Sequence, residues 1–586
     1  MSAASARLRD TLTAAALFLA TAAFTLWQNA RVGVLWDLSY LLDSSFRFRL
    51  GQLPYRDFPF AHAPLTFLLH AAIIRIFGRV YYPHILCAAL EAGLATLLTW
   101  RFLLNLFSQN RTVTPPQQKE VVILAQPESQ YLLLNSSANR PGRLATLLAS
   151  PLIFLGIYGV YPHPIYDSDC ILAVLAALCL LQCAGETRTR NFLAGFACVL
   201  PLFFKQNIGL PFLAVTLLAV AVVAVIRRRR HLTVAPQLWL IAGAAAALAA
   251  ALLTLHFTAG LHNYFYWTVT FAAQRRLPGL GIILATYHQT SLLWTLPAAI
   301  AGVALLRVER LRAIRWTRPA AFILLAAPFL WTIAALAFTS DADDRSDQFL
   351  SLWPHLLLLA ALLALCNLRT VRTNPTLTPL LPIILLATIH GTFLSQQLWG
   401  STYAIWPLLL LLIAAMLAQV PTLARPLAVV IAATFLLCGG LYAISLERLS
   451  YIHLDGPLTR ATLPELRGLT TPGPWVPAFE ELVRFTNAEV PAADGILLLP
   501  GEDPFYFATG RTPQFPVLLF DPATDPYTPQ QTLDQARARN IRWLIVNRNL
   551  QLTESPKPDL PEVLHTLRQD FVPYRTVTNY DIYRRR

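Results

Sequence analysis

The 586-residue chain is 55% hydrophobic and only 13% charged, with a formal net charge of +14. Soluble domains carry roughly a quarter charged residues, so this composition excludes an ordinary soluble protein. The basic excess is almost all arginine (Lys119, Lys205 and Lys557 are the lysines). Much of it sits in short loops between apolar runs, which argues against nucleic-acid binding and for the cytoplasmic bias of membrane loops.

A weakly basic start, with Arg7 and Arg9, leads into an apolar run from Thr11 to about Ala30. No convincing cleavage site follows, so the run reads as an uncleaved first helix. A bilayer crossing needs ~20 mostly apolar residues. Runs of that kind predict further spans at about 84–106, 143–160, 170–184, 191–204, 208–226, 236–257, 284–306, 319–338, 349–367, 376–394, 403–419 and 426–446. They are rich in Ala and Leu without period-2 alternation, which favours helices over a β-barrel. The stretch 62–79 is apolar but carries His62, His70 and Arg75, and reads as an amphipathic helix at the outer surface.

The basic loops fix a direction. Arg111, Lys119, Arg140 and Arg143 mark one, Arg188 and Arg190 the next, then Arg227 to Arg230, the cluster from Arg307 to Arg318, and Arg369 with Arg372. With thirteen crossings all of them share one face, the cytoplasmic one. The N-terminus is then inside and the tail from residue 447 outside. The expected fold class is a polytopic α-helical membrane protein of about 13 spans (1–446, with outer loop 31–83 holding amphipathic helices), followed by a soluble extracytoplasmic α/β domain (447–586). The tail supports this with a helix-like stretch from Phe479, a strand from Gly495 to Pro500, another from Arg542 to Asn547, a helix-like stretch near Pro561 to Arg568 and an alternating end. All seven cysteines lie in or beside the apolar runs, so no disulfide framework holds the tail.

Ionisable residues at membrane level are costly and are the first candidates for function. The first outer loop offers Asp37, Asp43, Arg47, Arg49, Arg56, Asp57 and His62, and the second offers His163, Asp167 and Asp169. Carboxylates on separate loops can converge, take a proton from an acceptor hydroxyl, or hold a metal. The bland alternative is solvated loop acids, with Asp57 pairing with Arg56 or capping a turn. Lys205 with Gln206, and Arg275 with Arg276, oppose the inside-positive trend and are candidates for binding an anion such as a lipid phosphate. Headgroup anchoring is the competing reading. Tyr264, Tyr266 and Trp267 read as an interfacial aromatic belt. Asp341, Asp343, Asp344 and Asp347 form an acidic loop that lacks the Gly and distal Glu of a calcium loop.

The first loop has an acid a few positions beyond the first helix, then Gly51, Pro54, Tyr55, Arg56, Asp57, Phe58, Pro64, Leu65, Phe77 and Gly78. This pattern resembles the GT-C class of membrane glycosyltransferases, which includes the lipid A aminoarabinose transferases, the protein O-mannosyltransferases and, as the nearest match, the RgtA/B/C/D-like bacterial transferases. Asp167 and Asp169 before the fourth span, the Lys205–Gln206 pair and the phrase FYFATGR from Phe505 to Arg511 also fit. The resemblance implies inverting transfer of a sugar from a polyprenyl-phosphate donor to an envelope glycan, lipid or protein, at a bacterial inner membrane, with the tail in the periplasm. It implies Asp37 as the catalytic carboxylate, supported by Asp169 or, less closely, Asp167. Lys205, Arg275 and Arg276 would bind the donor phosphate, and Tyr55, Arg56, Asp57 and His62 would shape the acceptor loop. Two departures stand out: Leu38 follows Asp37 where the class often has Asp-Glu, and His62-Ala63 stands where the aminoarabinose transferases have Glu-Lys. A divalent metal held by Asp37, His62 and Asp169 is left open. A transporter or flippase of a lipid-linked substrate is the alternative function.

Overall fold

The computed structural model describes residues 3–109, 141–276, 284–312, 314–338, 348–394, 404–445, 447–448, 452–453, 456–522, 524–551 and 558–586. The protein is a multi-pass α-helical membrane protein with a sheet-containing C-terminal region. Among the described residues, eight helices are long and apolar enough to cross a bilayer, and four shorter apolar helices accompany them. In chain order the first helices are α1 (Ala3–Asn29), α2 (Leu35–Arg49), α3 (Leu65–Phe77), α4 (Tyr82–Gln109), α5 (Pro141–Ala149), α6 (Leu152–Leu155), α7 (Tyr166–Cys183), α8 (Arg188–Phe204), α9 (Gln206–Arg229) and α10 (Ala235–Thr258). They are followed by α11 (Leu292–Arg307), α12 (Thr317–Phe338), α13 (Leu352–Thr373), α14 (Leu381–Thr392), α15 (Trp406–Leu417) and α16 (Ala424–Ile444).

Where the sequence suggests one span over 143–160, the helix stops at Ala149, resumes for a single turn as α6 and ends before Gly156. Pro151 cannot donate a helical hydrogen bond, and it divides the two pieces. The chain then runs through buried turns to Ile165 instead of completing a helix, which brings Tyr158, Tyr161 and His163 into the interior. The runs at 191–204 and 208–226 form α8 and α9, separated by one extended residue, Lys205 (φ −149°, ψ 113°), and of the two α9 is long and apolar enough to cross a bilayer. Helices α8 and α10 touch backbone to backbone. A Cβ at Gly195 would lie 1.9 Å from the Leu240 carbonyl oxygen, and one at Gly243 2.0 Å from that of Phe192. Lipid gives helices no hydrophobic reason to associate, so small residues that allow this closeness carry the packing.

The loop after α1 holds α2 and α3. Helix α2 is covered on both sides. Leu35, Leu38, Leu42 and Phe46, at helical spacing, join a core with Ile74, Tyr81, Phe479 and Phe505, while Trp36 and Leu41 join the core of the bundle.

The C-terminal region contains α17 (Trp475–Glu489), α18 (Phe505–Thr509), α19 (Pro529–Ala538) and α20 (Leu560–Leu567). Its principal sheet is built from β5 (Gly495–Leu499), β6 (Ile541–Asn547), β7 (Phe571–Val577) and β8 (Tyr580–Arg585), in the order β5-β6-β8-β7. Strand β1 (Glu447–Arg448) pairs with β2 (Ile452–His453), and β3 (Leu458–Arg460) with β4 (Thr470–Pro472). The β5–β6 pair is parallel and the other two pairs of the principal sheet are antiparallel. The alternating C-terminal stretch forms the β7–β8 hairpin. Strand β5 is buried along its whole length, as expected of a strand covered on both faces.

Candidate functional site

Helix α2 lies between the bundle and the C-terminal region, and its start is fixed from both. The Val34 N–H donates to His163 Nε2 at 3.1 Å, and the Leu35 N–H to Gln551 Oε1 at 2.8 Å. These partners satisfy backbone donors that a helix leaves open at its first turn. Asp37 sits in that turn, where the helix dipole favours a negative charge. Tyr161 donates its hydroxyl to Asp37 Oδ2 at 2.5 Å.

Asp37, Tyr40 and Leu41 share one face of α2, as residues three and four apart do. They line a cavity of about 50 Å³ with Trp36, His62 and Tyr166, and Leu519, Asp521 and Thr524 of the C-terminal region close its other side. His62 is held within the first loop. Its Nδ1 lies 2.9 Å from the Tyr40 hydroxyl, and its carbonyl accepts the Tyr55 hydroxyl at 2.6 Å. The rings of His62 and Tyr166 are 4.6 Å apart, and Lys205 Nζ stands 5.0 Å from the centre of the Tyr166 ring.

The second outer loop therefore meets the first, but its two acids have other surroundings. Asp167 forms a buried ion pair with Lys205, and its Oδ2 has no hydrogen-bond partner among the described residues. Asp169 accepts the Thr66 hydroxyl at 2.5 Å and lies 3.4 Å from the Tyr158 hydroxyl, which donates to Glu91 at 2.7 Å. Neither Asp167 nor Asp169 is among the residues described as lining the cavity of Asp37. Among the described residues, no group of three or more His, Cys, Asp or Glu side chains is arranged to hold a metal ion. Asp37, His62 and Asp169 do not form such a group.

Of the remaining loop residues, Tyr55 is buried at φ +67° and packs edge-on against Tyr264 at 5.2 Å. Tyr264 is thereby part of the interior instead of an interfacial belt, while Tyr266 is exposed. Asp57 accepts the Leu53 N–H at 2.7 Å and pairs with exposed Arg56 at 2.8 Å. It is a turn cap, and Arg56 holds its carboxyl below the usual carboxylate range. Arg275 and Arg276 end the short helix Ala272–Arg276, and their side chains lie outside the described residues. So do the acidic loop 341–347 and the polar loop 110–140.

A second stripe of α2, at positions 39, 43 and 47, grips the C-terminal region. Ser39 donates to the Gly501 carbonyl at 2.8 Å. Asp43 accepts the N–H groups of Tyr506 and Phe507, at 3.1 and 2.7 Å, at the start of α18. Arg47 donates to the carbonyls of Pro516 and Phe515, at 2.6 and 2.8 Å. Burial pushes the Asp43 carboxyl up to about 8, against the two N–H groups that favour its charged form, and lowers Arg47 to about 10. The FYFATGR phrase is the piece that Asp43 caps.

No family model matches the chain, and no curated protein matches it. Solved structures do resemble it. One is ArnT from Cupriavidus metallidurans bound to undecaprenyl phosphate, 11% identical, covering 99% of this chain and 98% of that one at a TM-score of 0.43. The same protein in its apo state gives 12% identity over 99% and 98% of the two chains, at 0.42. The archaeal oligosaccharyltransferase AglB from Archaeoglobus fulgidus, in complex with an inhibitory peptide and a dolichol-phosphate, gives 11% identity over 98% of this chain and 74% of that one, at 0.42.

Several residues of the site escape a reading of the sequence. Tyr161, the partner of Asp37, is the first residue past the span expected at 143–160 and carries no motif. Asp521 lies in the tail, almost five hundred residues from Asp37, and nothing in its neighbours Pro522 and Phe520 marks it. Gln551 carries no motif at all. A larger cavity, of about 290 Å³, opens at the other end of α7 beside Glu186, Asn191 and Arg227, and none of the candidate residues lines it.

Proposed function

We propose that the chain transfers a sugar from a polyprenyl-phosphate donor to an acceptor hydroxyl or amine, with inversion, on the side of the membrane where the C-terminal region sits. The observation that carries this reading is the placement of Asp37. It is a half-buried carboxylate in the first turn of a helix, steered by Tyr161, at a cavity roofed by the C-terminal region. Together with the motif resemblance of the outer loops, that placement supports a general base working at the membrane surface.

In this reading the acceptor enters between α2 and the segment 519–524, with its O–H or N–H directed at Asp37. As the acceptor atom bonds to the anomeric carbon, its proton passes to the Asp37 carboxylate. The bond from the anomeric carbon to the phosphate oxygen breaks on the opposite face, and the electron pair stays on the departing phosphate. Tyr161 orients the carboxylate through its hydrogen bond to Asp37 Oδ2. Lys205 is the candidate for stabilising the phosphate, which would take over the cation that Asp167 now neutralises. The prenyl chain needs only apolar contact among the spans.

The test uses the purified full-length chain in lipid nanodiscs with an isotopically labelled polyprenyl-phosphate hexose. Product with the anomeric configuration opposite to the donor, read by NMR, is the expected result. Product with retained configuration contradicts the mechanism, and movement of intact donor across the bilayer without product contradicts the transferase reading.

A further inference from the structure

The larger cavity lies at the far end of α7 from Asp37. That helix has 18 residues and is about 27 Å long, so the two cavities belong to opposite ends of the bundle. The larger one encloses about 290 Å³ and is amphipathic. Its floor is set by Phe102, Leu178, Val220, Val223, Leu240 and Ile384, all buried at helix-interior positions. Its rim is set by Glu186, Asn191, Arg227 and Gln237, at or near helix ends. Val220 and Arg227 are two turns of α9 apart, which separates floor from rim by about 10 Å. Such a volume would take roughly ten waters, and each water needs several polar partners. The side chains of the floor offer none.

The rim is suited to an anion. Arg227 carries a charge that a guanidinium does not lose in a protein. Its Nε donates to the Thr233 carbonyl at 2.7 Å, which fixes the group in place. Its acid, Glu186, stands 4.0 Å away with a side chain 75% exposed, against 17% for Arg227. An exposed pair of that length is weak, so a ligand anion can take the place of Glu186. The Oε1 of Gln237 is buried and has no hydrogen-bond partner among the described residues. Buried polar atoms rarely lack one, so this acceptor suits a ligand hydroxyl. The surroundings give the class of ligand. Segments 184–191, 226–237 and 369–381, which carry the rim, hold eight arginines and one acid, Glu186. Val222, Val225 and Leu238, beside lining residues on α9 and α10, are exposed apolar side chains of a surface that faces lipid. Basic pockets between membrane helices attract anionic headgroups.

We propose that this cavity binds one anionic phospholipid from the leaflet on the side of the basic loops. An acyl chain fills the apolar floor, Arg227 meets the phosphate, and a headgroup hydroxyl donates to Gln237. The proposal does not rest on the transferase reading, because none of these residues lines the Asp37 cavity.

The test uses the full-length chain, purified in detergent and stripped of lipid. It is titrated with palmitoyl-oleoyl phosphatidylglycerol or with phosphatidylcholine of the same chains, and bound lipid is counted by native mass spectrometry. Wild type should bind one phosphatidylglycerol about fivefold or more tighter than phosphatidylcholine, the scale of one arginine at a headgroup. Arg227→Gln should erase most of that preference. Arg229→Gln, at an exposed arginine of the same loop, should keep it. Val223→Phe fills the floor and should weaken both lipids. Glycerol 3-phosphate, a phosphate without chains, should not displace the lipid at equal concentration. Equal binding of the two lipids by wild type overturns the proposal. So does an equal loss in Arg227→Gln and Arg229→Gln, as a diffuse basic surface would give, or displacement by glycerol 3-phosphate. Unchanged binding in a folded Val223→Phe protein overturns it as well, and if that variant does not fold, the two arginine variants decide.

Discussion

At the scale of single residues, what decides each acid's role is the direction its side chain faces. Asp37 and Asp43 are six positions apart on one helix, and a solvated loop acid is the bland expectation for both. Asp37 faces the cavity, and Asp43 is buried against the start of α18. The Asp43 carboxyl is raised from 3.8 to about 8, so the folded protein binds its proton more tightly than the unfolded chain does. Its contribution to stability is complete below the ordinary carboxylate range and is lost as pH rises through about 8. Asp503, raised to about 7 by burial and bonded to the Tyr580 hydroxyl, acts in the same direction. Melting temperature should therefore fall by a few degrees between about pH 4 and pH 8, and Asp43→Asn should flatten that fall without removing the Asp503 part. A wild-type melting temperature that rises over this range contradicts the assignment. The buried Lys205–Asp167 pair gives a second prediction. Lys205→Met leaves a buried, unpaired carboxylate, at a cost of about 3–5 kcal/mol. Adding Asp167→Asn should restore most of the stability but not sugar transfer, if Lys205 meets the phosphate. Thermal melts and transfer assays on the single and double variants separate the two effects.

At the scale of elements, much of the bundle is legible in the sequence because a bilayer demands long apolar runs, and these run lengths are hard to misread. The failures have local physical causes. Pro151 and the buried turns that follow it end a run that hydropathy alone continues. The one-residue junction at Lys205, by contrast, is legible, because Lys205 and Gln206 interrupt the apolar run between the spans expected at 191–204 and 208–226. In the C-terminal region, the helix near Phe479 and the strands β5 and β6 carry their own apolar patterns and were readable. The site was only half readable: Asp37 stands out as an acid just beyond the first helix, whereas Tyr161, Gln551 and Asp521 matter through contacts made across hundreds of residues. The close approach of α8 and α10 supplies a prediction at this scale. Gly195→Ala places a methyl against the Leu240 carbonyl, which is backbone and cannot turn aside. Overpacking of this kind costs about 1–3 kcal/mol, and the variant should melt lower than wild type, whereas Ala substitution of exposed Leu193 on the same helix should not.

At the scale of the whole molecule, the C-terminal region and the helical bundle line one cavity between them. The polar stripe of α2 at positions 39, 43 and 47 fastens them together, and the cavity exists because both halves supply walls. Arg47→Ala leaves the Phe515 and Pro516 carbonyls without their donor and should loosen the segment 515–524, seen as faster backbone hydrogen exchange there and slower sugar transfer, with Asp37 untouched. The central claim is that the Asp37 carboxylate takes the acceptor proton at this shared site. The most direct measurement is the turnover of purified Asp37→Asn with a labelled polyprenyl-phosphate sugar, alongside its melting temperature. An amide of the same shape cannot act as the base, so a loss of about 10²–10⁴-fold at a near-normal melting temperature is the result predicted. Turnover close to wild type in a folded Asp37→Asn protein would contradict it.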